Sequence, residues 1–444
     1  MTLTAVLLSA ALAAQQPDLR DAGAVNNLLA SLRTADPAVC EMAGRTLTNQ
    51  WGWGGDLGDE PMPAPMPMPM PVPMPMPFAG GGGSGISGPN VGHRAGTAMD
   101  ATVLAVFRTG LRDQSRCVRR IAARMVAREK PTWAASEFGA LAKDADAGLR
   151  EIGLLGLGEL EDPRTIGTMT TALGDRDVNV RAMAAWALGQ LEDTQAIAPL
   201  GKALGDESPL VRRRAAWALG EIEDEASLSA LERALRDRDA TVRRTAAWAM
   251  GEIESAKAVP LLRTALADSD PDVRRTAIWA VGEIEDASGV DVLAPLVKDA
   301  DPRVRRMAVW ALGEIESGRA VSVLVPAVGD SDRDVKLTAL WALGQIEDGA
   351  GVDVVAPALK DRDADVRQMA AWALGQIEDS TAVRSLTPLL KDPDTKVRVV
   401  AAWALGQIES HSALPALEAA KADTSPAVRR AVQWAIRQID DDRR

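Results

Sequence analysis

Nine tryptophans, Trp186, Trp217, Trp248, Trp279, Trp310, Trp341, Trp372, Trp403 and Trp434, follow one another every 31 residues without slippage. The chain has only 12 tryptophans, 3 phenylalanines and no tyrosine, so most of its aromatic content belongs to a repeat. A period in the range of about 20–50 residues narrows the possible folds sharply. Such a unit cannot bury its apolar face alone and must stack on its neighbours.

Around each tryptophan the sequence reads V-R-x-x-A-A-W-A-L-G-E/Q-I-E, and Val211 to Glu223 is a clear copy. With the valine at offset 0, offsets 0, 4, 7, 8 and 11 share one stripe at about 100° per residue. In this copy they are Val211, Ala215, Ala218, Leu219 and Ile222. The tryptophan, at offset 6, falls opposite that stripe, together with offsets 2, 3, 9 and 10. The wheel therefore places it off the face that packs the repeat.

Offset −3 holds a capping residue in every copy: Asp177, Ser208, Asp239, Asp270, Asp301, Asp332, Asp363, Asp394 and Ser425. Side-chain oxygens there accept the first free backbone N–H groups. Proline follows at Pro209, Pro271, Pro302 and Pro426, a position that needs no N–H. A second apolar stretch precedes each motif, as in Leu228 to Leu235. Each unit is predicted to be a helical hairpin, helix A followed by helix B. Val118 and Leu149 continue the register upstream, with Arg124 and Leu155 at the tryptophan position. A further unit spans 24–47, with Val39 at offset 0, before an insertion of 48 residues. In the last copy Gln433 and Arg437 occupy offsets 5 and 9, as expected of a terminal cap that faces water.

This pattern resembles the HEAT-like repeats of the phycobilisome-lyase family, without a break over about 113–444 and again over 24–49. The resemblance implies an all-α, right-handed α-solenoid (a superhelix) of about 11–12 helical hairpins. It also implies that helix B lines the concave side and that offsets 2, 3, 6 and 10 are its variable binding positions. A fold of this kind serves many partners and does not name one.

The net charge of −12 argues against a nucleic-acid binder, which presents a basic stripe. Arginines do recur at offset 1 (Arg212, Arg243, Arg274, Arg305). Each lies one turn from a loop aspartate of the series Asp206, Asp237, Asp268 and Asp299. A structural Arg–Asp ladder between neighbouring repeats is the expectation.

Residues 1–14 read as a secretory signal peptide: a short apolar run from Leu3 to Ala14, with Ala11-Leu12-Ala13 as the cleavage motif. No Lys or Arg precedes the run, so an ordinary N-terminal extension remains the alternative. A signal peptide implies a periplasmic or secreted protein; without one the chain is cytoplasmic. No stretch reads as a membrane span. Cys40 and Cys117 flank the insertion. A disulfide is permitted outside the cytoplasm, but a helix spacing of about 9 Å opposes it. Paired and free states both stay open.

The insertion, 51–97, is compositionally foreign. Trp51 and Trp53 lead into Asp56, Asp59 and Glu60, then the alternating Pro/Met run 61–78, then a Gly/Ser tract. Alternating prolines deny helix and favour polyproline II. A plain linker, Cu(I) binding by the methionine thioethers and docking across the tryptophans are the three readings. The chain thus divides into a signal peptide (1–14), an N-terminal HEAT-like unit (15–50), the insertion (51–97) and the solenoid (98–444).

Enzymatic readings lack residues, and no catalytic, cofactor or metal site is assigned. A branch of these repeats resembles deoxyhypusine hydroxylase, which needs His-Glu pairs; here only His93 and His411 exist, and neither precedes Glu. The repeated D-x-D loops lack the glycine and distal glutamate of an EF-hand. What remains is the tryptophan face. Four successive copies carry Arg at offset 2 and Glu at offset 10: Arg213/Glu221, Arg244/Glu252, Arg275/Glu283 and Arg306/Glu314. Each pair brackets its tryptophan one turn away on either side, and Arg over indole would give a cation–π contact. The next three copies lose both charges: Leu337/Gln345, Gln368/Gln376 and Val399/Gln407. An exposed indole row exceeds the apolar patches that soluble proteins tolerate without purpose, and Trp and Arg are common hot spots. The expected function is a non-enzymatic scaffold that binds a protein or extended peptide in this groove. A chromophore-handling protein of the bilin-lyase type and a structural spacer are the alternatives.

Overall fold

The computed structural model describes residues 21–34, 40 and 99–441. The signal-peptide reading at 1–14 and the insertion at 51–97 lie outside them. The described residues are helical and contain no strand. They form two compact units, one ending at Ala249 and the other beginning at Met250. Each is a run of hairpins, a short helix A and a long helix B, with successive B helices packed side by side. This is an α-solenoid. Among the described residues no helix is long and apolar enough to cross a membrane.

The first unit shows why the sequence folds this way. Ser208 starts helix B in extended backbone, and Pro209 occupies the first turn of Pro209–Glu221. The predicted stripe is buried: Val211, Ala215, Ala218 and Leu219 are inaccessible and Ile222 nearly so. Most predicted caps form. Asp177, Asp270, Asp332 and Asp394 each accept from two backbone N–H groups of their first turn. Ser208 is the exception, since its hydroxyl makes no cap bond.

Helix B ends on a residue type that sequence reasoning passed over. Glu161, Glu192 and Glu223 in the first unit adopt left-handed backbone, as do Glu254, Glu285, Glu316, Glu347, Glu378 and Glu409 in the second, with φ between 48° and 55°. Glycine is the usual occupant of such a helix terminus, because a Cβ there costs about 1 kcal/mol. The residue after most of these glutamates caps the turn into the next helix A, though Ser317 and Ser410 make no such bond. Asp193, for example, accepts from Gln195 N at 2.8 Å, and Asp224 from Ala226 N at 2.8 Å. In the second unit proline cuts several A helices into an α turn followed by a 3-10 turn. Gly289–Leu293 passes into Ala294–Lys298 at Pro295, and Gly351–Val355 into Ala356–Lys360 at Pro357.

The expected ladder is present in each unit. Arg150, Arg181 and Arg212 grip Asp175, Asp206 and Asp237 of the following repeat in two-pronged pairs at 2.6–3.0 Å. Arg305 and Arg367 do the same with Asp330 and Asp392, and Arg398 holds Asp423 at 2.9 and 3.3 Å. Each guanidinium also donates to its own loop, as Arg212 does to Asp206 O at 3.0 Å. Burial alone would raise the aspartates, but the arginine hydrogen bonds and a backbone N–H outweigh it. Asp206, Asp237, Asp330 and Asp392 end below the usual range.

The cysteines pair, which settles the question left open by the sequence. Cys40 and Cys117 form a disulfide with Cα atoms 5.8 Å apart across 77 residues of chain. A spacing of about 9 Å holds between parallel helix axes, whereas Cys117 lies in the first turn of Arg116–Glu129. At the other end Arg430, Gln433 and Arg437 are exposed, as expected of a terminal cap.

Candidate functional site

The helical wheel placed the tryptophans away from the packing stripe, and the structure corrects what that implied. None is fully exposed. Trp217, Trp248 and Trp372 are buried, and Trp186, Trp279, Trp310, Trp341, Trp403 and Trp434 are partly buried. Each indole lies edge-on against the glycine at offset 9 of the preceding helix B. In the first unit the pairs are Trp186 on Gly158, Trp217 on Gly189 and Trp248 on Gly220. In the second they are Trp279 on Gly251, Trp310 on Gly282, Trp341 on Gly313, Trp372 on Gly344, Trp403 on Gly375 and Trp434 on Gly406. A Cβ built on these glycines would sit 2.6–3.2 Å from indole Cζ3. The tryptophan is therefore a strut between repeats, and the glycine at offset 9 of the preceding helix B receives it. The wheel missed this because it counts contacts with helix A only, whereas B helices also touch one another along a second line.

What reaches the surface is the rim of this seam. The Trp279 indole lies beside Glu283, and that of Trp310 beside Glu314. Burial, first, and then repulsion from neighbouring carboxylates push both glutamates above the usual range. Glu285 and Glu254 act on Glu283, and Glu283, Glu285 and Glu316 act on Glu314. The left-handed glutamates thus join the offset-10 glutamates in one acidic row. In the sequence they look like ordinary surface charges at a helix end, and only their φ sets them apart. Glu221 and Glu252 hold the equivalent places and are partly buried.

The offset-2 arginines are also half-buried. Arg275 pairs with Asp272 of its own helix and Arg306 with Asp334 of the next repeat. These two point at carboxylates, where stacking on indole was expected. A cation–π contact forms elsewhere, with Arg108 4.4 Å from the centre of the Trp133 ring. Arg213 and Arg244 occupy the matching positions in the first unit. In the copies without charge, Leu337, Gln368 and Val399 are buried, so the neutral zone is packed and not simply uncharged. Offset 3, offered by the resemblance as a binding position, is buried at Thr245, Thr276, Met307, Thr338 and Met369. Thr338 turns its hydroxyl back to Asp334 O at 2.8 Å. Among the described residues no group of His, Cys, Asp or Glu has the arrangement of a metal site.

Comparison with known proteins bears on the fold. The sequence profile of HEAT repeats matches eight overlapping segments, from 135–206 to 383–444. No curated protein matches the chain. Among solved structures, a chain from the complex of Kap95p with RanGDP is similar over 98% of this chain and 64% of that one, at 14% identity and a TM-score of 0.57. An engineered protein is similar over 76% of this chain and 98% of that one, at 23% identity and a TM-score of 0.40. Human deoxyhypusine hydroxylase with glycerol is similar over 56% and 96%, at 25% identity and a TM-score of 0.27. The first of these shows a shared fold alone, and the other two are too distant in shape to inform the reading. The eight profile matches and the tryptophan–glycine seam they run along place this chain in the HEAT-repeat family.

Proposed function

We propose that this protein is a non-enzymatic scaffold that holds a protein or an extended peptide along the indole rim of its B helices. The observation that carries the reading is the acidic row of the second unit. Glu283 and Glu314 stand beside the indoles of Trp279 and Trp310, and the charges of Glu254, Glu285 and Glu316 act on them. Positioned carboxylates beside flat apolar edges, one set per repeat, suit an extended segment that presents cationic side chains at regular intervals. Holding several like charges close together disfavours the free state, and a cationic partner relieves that cost. The Kap95p structure pairs a protein of this fold with a protein partner, which agrees with this class of function.

The protein is proposed to act outside the cytoplasm. The Cys40–Cys117 disulfide supports this, because such bonds persist in oxidising compartments. The test of function is selection of peptides from a random display library on the full chain. Enrichment of Lys/Arg-bearing sequences that is lost on Glu283→Lys plus Glu314→Lys, with helicity unchanged, is the expected result. Failure to enrich any sequence, or enrichment indifferent to the double substitution, would overturn it.

A further inference from the structure

We infer that the second unit contains one built-in soft joint, between the repeat that carries helix Pro271–Glu283 and the repeat that carries Pro302–Glu314. Four observations meet there. The first is the ladder. Arg274 Nε stands 3.3 Å from Asp299 Oδ2 and its second nitrogen 3.5 Å from Oδ1, whereas Arg305 holds Asp330 at 2.8 and 2.9 Å. Arg274 Nε, though shut off from solvent, makes no hydrogen bond. An unsatisfied buried donor marks a contact that has not closed.

The second is the indole seam. A Cβ on Gly282 would lie 3.2 Å from Trp310 Cζ3 and 3.4 Å from Ala311 Cα. At the other five glycines of this unit the indole distance is 2.6–2.8 Å and the distance to the next alanine Cα is at most 3.2 Å. The two B helices are farthest apart at the same junction where the ladder is longest. The third is a cleft of about 590 Å³ between the two A segments, lined by Arg263, Leu266, Arg274, Val292, Leu296 and Asp299 among others. Its origin is local. Helix A on one side is trimmed to Arg263–Leu266, and on the other Pro295 breaks the helix after Leu293. The fourth is charge, since Glu283 and Glu285 on one side repel Glu314 on the other.

In a solenoid each interface is held only by its own neighbours, so a weak interface opens without its flanks. The joint lets the repeats on either side pivot about the B-helix seam and fits the acidic row to partners of different curvature. This goes beyond the binding reading and stands without it, because it is tested on the free protein.

Amide hydrogen exchange of the full chain is the test. The segment 383–391 is the internal control, for it has the same broken form of helix A but faces the tight Arg367–Asp392 rung. Amides of 289–298 are expected to exchange about tenfold faster than those of 383–391. Equal rates overturn the proposal. A pair of substitutions gives an independent check. Asp299→Asn is expected to change exchange at 289–298 less than about twofold, because that rung is already long and weak, whereas Asp330→Asn speeds 320–328 about tenfold. An Asp299→Asn effect as large as that of Asp330→Asn also overturns it. Should Asp330→Asn fail to fold, the comparison within the wild-type chain still decides.

Discussion

The tryptophan–glycine seam makes a prediction about sign as well as size. Replacing a helical glycine by alanine ordinarily stabilises a helix by about 1 kcal/mol. Gly139 and Gly167 are helical, and a Cβ there meets nothing within 4 Å. Gly139→Ala is therefore expected to raise stability by up to about 1 kcal/mol. Gly344 is also helical, but a Cβ would lie 2.7 Å from Trp372 Cζ3, 3.3 Å from Cε3 and 3.2 Å from Ala373 Cα. Carbon atoms attract best near 3.5 Å, so the helices must part by about 0.8 Å. Trp372 is buried and has no room to swing away. Overpacking of this kind costs about 1–3 kcal/mol, and the helix-propensity gain offsets only part of it. Gly344→Ala is expected to destabilise by about 1–2 kcal/mol. The loss should appear as faster amide exchange in 333–346 and 364–377, a local readout suited to an array that need not unfold in one step. In a Trp372→Leu background the ring is gone and the glycine change should become nearly neutral, a coupling of about 1 kcal/mol or more. If Gly344→Ala stabilises as Gly139→Ala does, or if removing the ring brings no relief, the indole is not seated on the glycine and the reasoning fails.

Other consequences are narrower. Stability should peak in mildly acid solution. Glu283 and Glu314 sit above their unfolded values, so protonating them as pH falls from neutral adds stability; Asp206, Asp237, Asp330 and Asp392 sit below theirs, so their contribution is present above the unfolded aspartate value of about 4 and is lost as pH falls through the folded values. Melting curves of Glu283→Gln plus Glu314→Gln should lose the gain on mild acidification and keep the acid collapse; the opposite pattern refutes the assignment. Lys336 makes one bond, 3.0 Å, to Asp361 where its counterparts make two. Lys336→Arg should restore the two-pronged rung and stabilise by about 0.5–1 kcal/mol in thermal or urea unfolding. Cys117→Ser opens a loop of 77 residues and should cost about 4 kcal/mol, seen as early exchange in the helix Ala22–Leu32. Glu316→Gly relieves left-handed backbone at φ 48° and should raise the melting temperature slightly, whereas Glu316→Ala should not.

The fold was readable because the repeat states it many times over. The stripe of Val211, Ala215, Ala218 and Leu219, the Asp–Arg ladder and the aspartate caps each follow from a local rule applied at one spacing. The disulfide was not decidable from spacing, because it depends on how two helix ends approach. The burial of the tryptophans was not legible for a definite reason. A wheel sorts residues by angle around one helix, and Trp372 is buried by Gly344 of another. The clue was present in the glycine at offset 9 of most copies, a costly residue for mid-helix unless something must come close. The left-handed glutamates hid in the same way, since Glu285 at a helix end looks like an ordinary surface charge until its φ is known. Of the candidate site, the row of Trp, Arg and Glu was found in the sequence. How deeply each is sunk, and that Arg306 turns to Asp334, belongs to the tertiary structure.

The central claim is that the indoles join the repeats and that their charged rim does the binding. Unfolding of the full chain carrying Trp279→Ala, Trp310→Ala and Trp341→Ala tests it most directly, followed by hydrogen exchange across 263–346. Removing large buried rings costs about 3–5 kcal/mol each when fully enclosed, and somewhat less for these partly buried ones. The account predicts a marked loss of stability confined to those repeats. A triple variant that unfolds and exchanges like the native chain, while losing its peptide ligands, would show a free-standing aromatic surface and contradict it.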